Sequence, residues 1–345
     1  MKILIVGSTN YYAIENFYVK YFRELKVDTE IFDSYTPFID YYSKSIFNKI
    51  VFRLGFSNIY EQINIKLLKT IIENKPEIVF IFKGMEIYPK TLSEIKKLGI
   101  KLVNYNPDNP FIFTGKGSGN KNITKSIGLY DLHFTYDSSI KAQLESKYSI
   151  PTYLLPFGFE LDEEIQNQIN CKNEILKVAF VGNPDKDRAN FILSLADNGV
   201  LIDIFGNDWS SFLNHKNISV FNTVKNENFW KTLAMYRVQL NIMRIHNPAS
   251  HNMRTFEVPA IGGILLAPST KDHLTFFKEN QEAFFYTDIS DCLLKIKEIL
   301  NLSKEKASEI RNNAQATCFY NGYSYFSRVE YVKSVFEANF PSKFK

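Results

Sequence analysis

The chain has 345 residues, 45% of them apolar, and a formal net charge of +4. At roughly 150 residues per domain, that length points to two domains, and so weak a charge gives no strong case for nucleic acid, which calls for a basic face or stripe. Cys171, Cys292 and Cys318 are too scattered for a disulfide framework or a zinc site, and no stretch approaches the ~20 apolar residues of a membrane span. The expectation is a cytoplasmic protein, open to peripheral contact with a membrane surface.

The predicted elements alternate from the start. Lys2 to Val6 reads as a buried strand, too short for a signal peptide and ended at once by Gly7. Tyr11 to Leu25 reads as a helix and Thr29 to Phe32 as a strand. Ile59, Ile63, Leu67 and Ile71 give Asn58 to Glu73 helical spacing. Glu77 to Phe82 has the continuous apolar run of a parallel strand. Pro89 to Leu98 is a helix with Pro at its first position and Gly99 after its end. Strands follow at Lys101 to Tyr105, Leu132 to Thr135 and Thr152 to Leu155. The pattern then restarts: strand Leu176 to Val181, helix Asp187 to Asp197, strand Val200 to Phe205, and strands at Gln239 to Met243, Gly263 to Ala267 and Ala283 to Tyr286. Tyr320 to Phe336 closes as a helix.

This alternation predicts an α/β fold of two doubly wound, Rossmann-like domains facing across a cleft. Residues 1–159 form the first domain, 160–174 a polar linker, and 175–318 the second domain. Residues 319–345 carry a helix that crosses back to the first domain.

Several chemistries lack their motifs. There is no GxGxxG after the first strand, no Walker A, no HExxH, no DxD and no G-x-S-x-G. Thr114 to Gly119 is Gly-rich without the GK[ST] spacing and reads as a loop. The five histidines, at 133, 215, 246, 251 and 273, form no metal-ligand pattern. His133 lies inside a strand pattern and reads as a core histidine.

The strongest positive signal is the run from His251 to Ala267. Asn252 is placed to cap a helix carrying Arg254, Thr255 and Glu257, and Gly262-Gly263 turns the chain into an apolar strand. Free N–H groups and the dipole at such a helix start suit a diphosphate. Arg254 would add a charge-assisted bond, and Glu257 could accept both ribose hydroxyls. An alternative is a structural Arg254–Glu257 ion pair.

Arg254, Phe256, Glu257, Ala260, Gly262, Gly263 and Leu266 resemble the C-terminal motif of the group 1 glycosyltransferase superfamily, in particular the branch of the spore-maturation protein CgeB. The resemblance implies the GT-B fold, ribose binding at Glu257 and a donor-phosphate contact at Arg254. Gly182 and Asn183 follow the first strand of the second domain, where a small residue lets backbone approach phosphates, and Arg188 and His251 lie within reach of phosphate or sugar. Gly206 and Trp209 resemble the superfamily's strand end near the nucleobase. Gly7, Ser8 and Asn10 fall on the acceptor or sugar side. Asp108, in a segment resembling the superfamily's strand-end "D-D/N-P", is the candidate base, with a Pro-Asp-Asn-Pro turn as its structural alternative. The superfamily's second acidic position is occupied by Ala249.

The resulting expectation is a metal-independent transferase that moves a sugar from a nucleoside-diphosphate sugar, a UDP-sugar in the first instance, to a hydroxyl of a glycan, lipid-linked or protein acceptor, without a cofactor. The alternatives are a nucleotide-sugar binding module without turnover and a GT-B-like sugar-nucleotide epimerase.

Overall fold

A computed structural model describes residues 1–11, 13–113, 119–169, 174–244 and 250–341. Most of the Gly-rich loop (114–118), together with Cys171, His246 and Ala249, lies outside them. The chain divides into two compact units: Met1–Pro156 with Tyr325–Lys345, and Phe157–Ser324. Each carries a six-stranded parallel sheet with helices on both faces.

Unit 1 runs β1 (Lys2–Gly7), α1 (Glu15–Glu24), β2 (Asp28–Asp33), α2 (Thr36–Ser43), α3 (Ile46–Arg53), α4 (Ile59–Asn74), β3 (Ile78–Phe82), α5 (Pro89–Lys97), β4 (Lys101–Asn106), α6 (Lys121–Ser126), β5 (Leu132–Thr135), α7 (Ser138–Tyr148) and β6 (Thr152–Leu154). The strand order is β2-β1-β3-β4-β5-β6, with Ile3 opposite Ile78 and Lys2 opposite Asp28. β3 is Ile-Val-Phe-Ile-Phe and buried throughout, because helices cover both of its faces. Val79 and Ile81 meet Ile63, Leu67, Leu92 and Ile95 on one face. Phe80 on the other face meets an aromatic layer from α1. Lys75 adopts the left-handed conformation that ends α4, and Asp137 caps α7 through the Ser139 and Ile140 amides.

Unit 2 runs α8 (Glu163–Gln168), β7 (Ile175–Val181), α9 (Lys186–Asp197), β8 (Ile202–Phe205), β9 (Ile218–Phe221), α10 (Asn226–Met235), β10 (Tyr236–Leu240), α11 (Arg254–Ala260), β11 (Leu265–Pro268), α12 (Lys271–Phe276), β12 (Phe284–Tyr286), α13 (Ile289–Leu300) and α14 (Lys304–Tyr320). Its strand order is β12-β11-β10-β7-β8-β9. One side of the sheet buries Phe180, Ile192, Leu195, Trp209 and Ile296, and the other buries Phe256, Phe285 and Tyr323. The stretch expected to be a linker belongs to this unit: it contains α8, and Glu174 forms ion pairs with the buried Arg237 and Arg311.

The last helix, α15 (Tyr325–Asn339), is part of unit 1. Tyr325 stacks on Phe17 with ring centres 4.8 Å apart. Phe336 lies 5.5 Å from Phe80 and 6.1 Å from Phe22. α15 therefore completes the aromatic layer over β3. Among the described residues, no helix is long and apolar enough to cross a membrane.

Candidate active site

A doubly wound sheet binds ligands at the carboxyl edge, where the strand order reverses. In unit 2 that point lies between β7 and β10. Arg254, the first residue of α11, is anchored there. Its Nε donates to Val181 O at 3.2 Å, its guanidinium lies 4.6 Å from the centre of the Phe229 ring, and Nη1 bonds the Glu257 carboxylate one turn on. Both side chains keep part of their surface in solvent, 24% for Arg254 and 14% for Glu257. An arginine fixed at its base, with an acidic partner beside it, can turn to an anionic ligand without being reordered.

Asn252 supports this corner in a different way from a simple cap. Its side chain exchanges two hydrogen bonds with Asn241, just past β10, at 2.8 and 3.1 Å, and its Oδ1 accepts the Arg254 N–H at 3.0 Å. Met253 is the residue at the cap position. The Arg254 N–H is thus already bonded within the protein.

Four other residues expected on the donor side face inward. Arg188 is buried, with Nε and Nη2 donating to Ile242 O at 3.1 and 2.8 Å and Nη1 to Asn183 O at 3.1 Å. Burial pulls its guanidinium down to about 10. It braces the ends of β7 and β10, because backbone carbonyls take its donors. Trp209 is fully buried, its Nε1 donating to Gly182 O at 2.8 Å and its ring packing edge-on against Phe180 in the core. His251 is buried, with Nδ1 2.9 Å from the Asp272 carboxylate and Nε2 accepting from the Phe157 N–H at 3.3 Å. Thr255 is fully buried, its hydroxyl 2.9 Å from His273 Nε2. Gly206 has a packing reason: a Cβ there would stand 2.3 Å from Gly182 O and 2.8 Å from Trp209 Nε1. Arg254, Glu257 and the Gly182–Asn183 backbone remain at the edge.

In unit 1 the order reverses between β1 and β3. Ser8 N donates to Glu15 Oε1 at 2.9 Å, and a Cβ on Gly7 would stand 2.5 Å from that oxygen. Glycine at position 7 makes room for the carboxylate. Ser8 Oγ accepts from Asn10 N at 3.1 Å. Directly after β3, Lys83 and Gly84 both take left-handed conformations, at φ +60° and +88°. A left-handed lysine costs about 1 kcal/mol or more. It turns the Lys83 ammonium to Asp108, Nζ to Oδ2 2.5 Å, so the Asp108 oxygen proposed as a base already has a donor. Asn106 orients Asp108 by accepting its N–H at 3.0 Å.

Glu86, two residues beyond that turn, is 6% exposed. Burial pushes its carboxyl up to about 7, with Lys83 opposing and Glu15 and Asp33 reinforcing the rise. Burial also raises Glu15. Glu15, Lys83 and Glu86 were not among the expected site residues. The signal was available at Lys83-Gly84: a cation and a glycine directly after an all-apolar strand mark a carboxyl-edge turn. Outside this corner, His133 is the expected core histidine, its Nε2 3.0 Å from Ile127 O, and burial pulls its ring down to about 4. Among the described residues, no group of three or more His, Cys, Asp or Glu is placed to hold a metal ion.

Residues 188–334 match the family model described as glycosyl transferase-like. HepE from Anabaena, solved with UDP, is 11% identical with a TM-score of 0.64, covering 98% of this chain and 100% of that one. Sucrose-phosphate synthase from Thermosynechococcus elongatus is 9% identical with a TM-score of 0.71, covering 99% of each chain. The UDP-GlcNAc 2-epimerase of Neisseria meningitidis, bound to UDP-GlcNAc, is 12% identical with a TM-score of 0.59, covering 98% of this chain and 100% of that one. No curated protein matches the sequence. The two sheets and their interleaved helices are those of the GT-B fold. The likeness to glycosyl transferase-like proteins is confined to residues 188–334, whereas the likeness in fold extends over both units.

Proposed function

We propose that this protein transfers a sugar from a nucleoside-diphosphate sugar to a hydroxyl, with unit 2 binding the donor and unit 1 the acceptor. The Arg254–Glu257 pair at the β7/β10 reversal carries this reading. Glu257 accepts the ribose hydroxyls. Arg254 neutralises the leaving diphosphate in place of a divalent cation, an electrostatic role. The UDP bound in HepE supports a UDP-sugar as donor. On the acceptor side, Glu86 takes the hydroxyl proton, since a group poised near neutrality suits general-base work. The acceptor oxygen then bonds the anomeric carbon, and the diphosphate leaves with the electron pair of the broken bond. Lys83 and Asp108 position the acceptor. A cell-surface glycan precursor is the substrate class this reading favours, and the match of Arg254 through Leu266 to the CgeB branch supports placing the chain there.

The test is thermal shift against UDP, GDP, TDP, CMP and NAD, with and without EDTA. A ligand that binds only the folded state raises Tm. The expected outcome is a rise with one nucleoside diphosphate that survives EDTA and is lost in a folded Glu257→Ala variant. No rise with any nucleotide, or a rise with NAD alone, sinks the reading.

A second reading draws on one observation: unit 1 holds two buried carboxyls raised by burial, Glu15 and Glu86, the charge of the first acting on the second, and a sugar-nucleotide epimerase needs two such groups. Incubating UDP-sugars in D₂O without acceptor separates the two. Deuterium incorporated into the sugar ring favours epimerisation, and its absence together with acceptor-dependent UDP release favours transfer.

A further inference from the structure

The loop between β2 and α4 is longer than a crossover needs, and it presents an apolar face to solvent. Ile46, Phe47, Ile50, Leu54 and Phe56 are 75, 71, 48, 64 and 80% exposed. Phe47, Ile50 and Leu54 recur at i, i+3 and i+7 and so form one stripe along α3 and its end. The opposite stripe already serves the core of unit 1. Phe52 packs with Phe38 and Tyr60, ring centres 4.9 and 5.2 Å apart, and Asn48 Nδ2 donates to Tyr41 O at 2.8 Å. The helix is anchored rather than loosely attached: Ser45 caps it through the Asn48 amide at 3.0 Å. Most of the surface of the stripe is therefore left out of the packing of its own unit. A run of large apolar side chains this exposed marks an interaction surface.

The charge around the stripe identifies the partner. Lys44, Lys49 and Arg53 flank it, and no Asp or Glu occurs from Tyr41 to Tyr60. Arg53 Nη2 donates to Tyr42 OH at 3.2 Å, and Lys49 Nζ lies 5.8 Å from the Tyr42 ring, so both cations are held beside the apolar face. A second copy of the chain docking on the same patch across a two-fold axis would set these cations against their own copies. An anionic lipid surface meets both features, taking the apolar side chains among its acyl chains and the cations at its headgroups.

We propose that α3 and the turn after it dock unit 1 onto an anionic membrane surface. The placement within unit 1 suits this role. Asp33, at the end of β2, accepts from the Tyr35 and Thr36 amides at 3.0 and 2.9 Å to start α2. The α2–α3 pair is thus interposed at the carboxyl edge of the sheet, the edge that carries Ser8, Lys83 and Asp108. Docking by this face brings that edge towards the lipid. The inference does not depend on the transfer reaction, and its test needs no substrate.

The test is flotation of the full chain with vesicles of phosphatidylcholine alone and of phosphatidylcholine mixed with phosphatidylglycerol, whose negative surface attracts basic segments. Binding is expected to the anionic vesicles only and to weaken with salt. Lys44→Gln/Lys49→Gln should lower affinity by roughly fivefold per residue removed, and Phe47→Ser/Ile50→Ser should abolish binding. All four positions are at the surface, so Tm and circular dichroism verify that the variants fold. Equal binding of wild type and Phe47→Ser/Ile50→Ser, or no preference for anionic vesicles, overturns the proposal. So does a wild-type dimer in sedimentation that the serine variant dissolves, because the stripe is then covered by a second copy.

Discussion

Glu86 gives unit 1 a pH dependence that one substitution should remove. Burial holds its carboxyl at about 7, above the ordinary 4.5 of a glutamate, so the folded unit keeps a proton at pH values where the unfolded chain has released it. Below both values each state is protonated, and the group is neutral for stability. As the pH rises past 4.5 the unfolded chain ionises first and stability falls; above about 7 both states are ionised and the deficit levels off. At 1.36 kcal/mol for each tenfold difference in proton affinity, the deficit is about 3 kcal/mol. Glu86→Gln keeps the shape without the charge. The variant is expected to match the wild type at acid pH and to exceed it by up to about 3 kcal/mol at pH 8. Glu15 is raised too, and its charge reinforces the rise at Glu86, so the difference between the two proteins reports Glu86 together with its coupling to Glu15. The readout must report on unit 1. Both tryptophans, Trp209 and Trp230, lie in unit 2, so their fluorescence does not follow it. The urea concentration at which β3 peptides lose protection from hydrogen exchange does. Midpoints that move in parallel for wild type and variant from acid to pH 8 refute the argument.

Two further outcomes follow from the sites. Glu86→Gln is expected to lower kcat by at least ~100-fold, the lower end for a lost general base, whereas Asp108→Asn lowers it by about tenfold, since that carboxylate positions rather than accepts. Steady-state UDP release measures both, and the reverse order returns the base to Asp108. Gly206→Ala is expected to cost about 2–3 kcal/mol, because the backbone oxygen of Gly182 cannot move aside; tryptophan fluorescence during urea unfolding follows it directly, as Trp209 is the other group the new methyl meets.

The sheets were legible in the sequence because their strands are continuous apolar runs. Leu132 to Thr135 is the strand expected at both ends, and β3 differs by one residue. β9 was not legible, since Ile218–Phe221 is a short edge strand with mostly exposed side chains and no apolar alternation. β10 begins at Tyr236, directly after α10, so the chain passes from helix to strand with no turn residue to mark the change. α2 and α3 were missed for a different reason: each is only eight residues long, shorter than the window over which helical periodicity declares itself. At the donor corner, Arg254 and Glu257 were singled out by their place at a helix start, and their roles came from the resemblance to the group 1 superfamily motif, with a structural ion pair as the alternative. Arg188, His251 and Thr255 turn inward because the Ile242 carbonyl, the Asp272 carboxylate with the Phe157 N–H, and the His273 ring take their polar atoms, and nothing local in the sequence announces those partners.

The return of α15 to unit 1 also orders events during synthesis. Unit 2, from Phe157 to Ser324, interrupts unit 1, so the ribosome completes it while the aromatic layer over β3 still lacks Tyr325 and Phe336. Domains generally fold as they emerge, and here the N-terminal sheet must wait with one apolar face open until the intervening unit has left the exit tunnel. A nascent chain arrested before α15 would carry a finished unit 2 on an unfinished unit 1, which makes that interval the one in which a chaperone has something to hold.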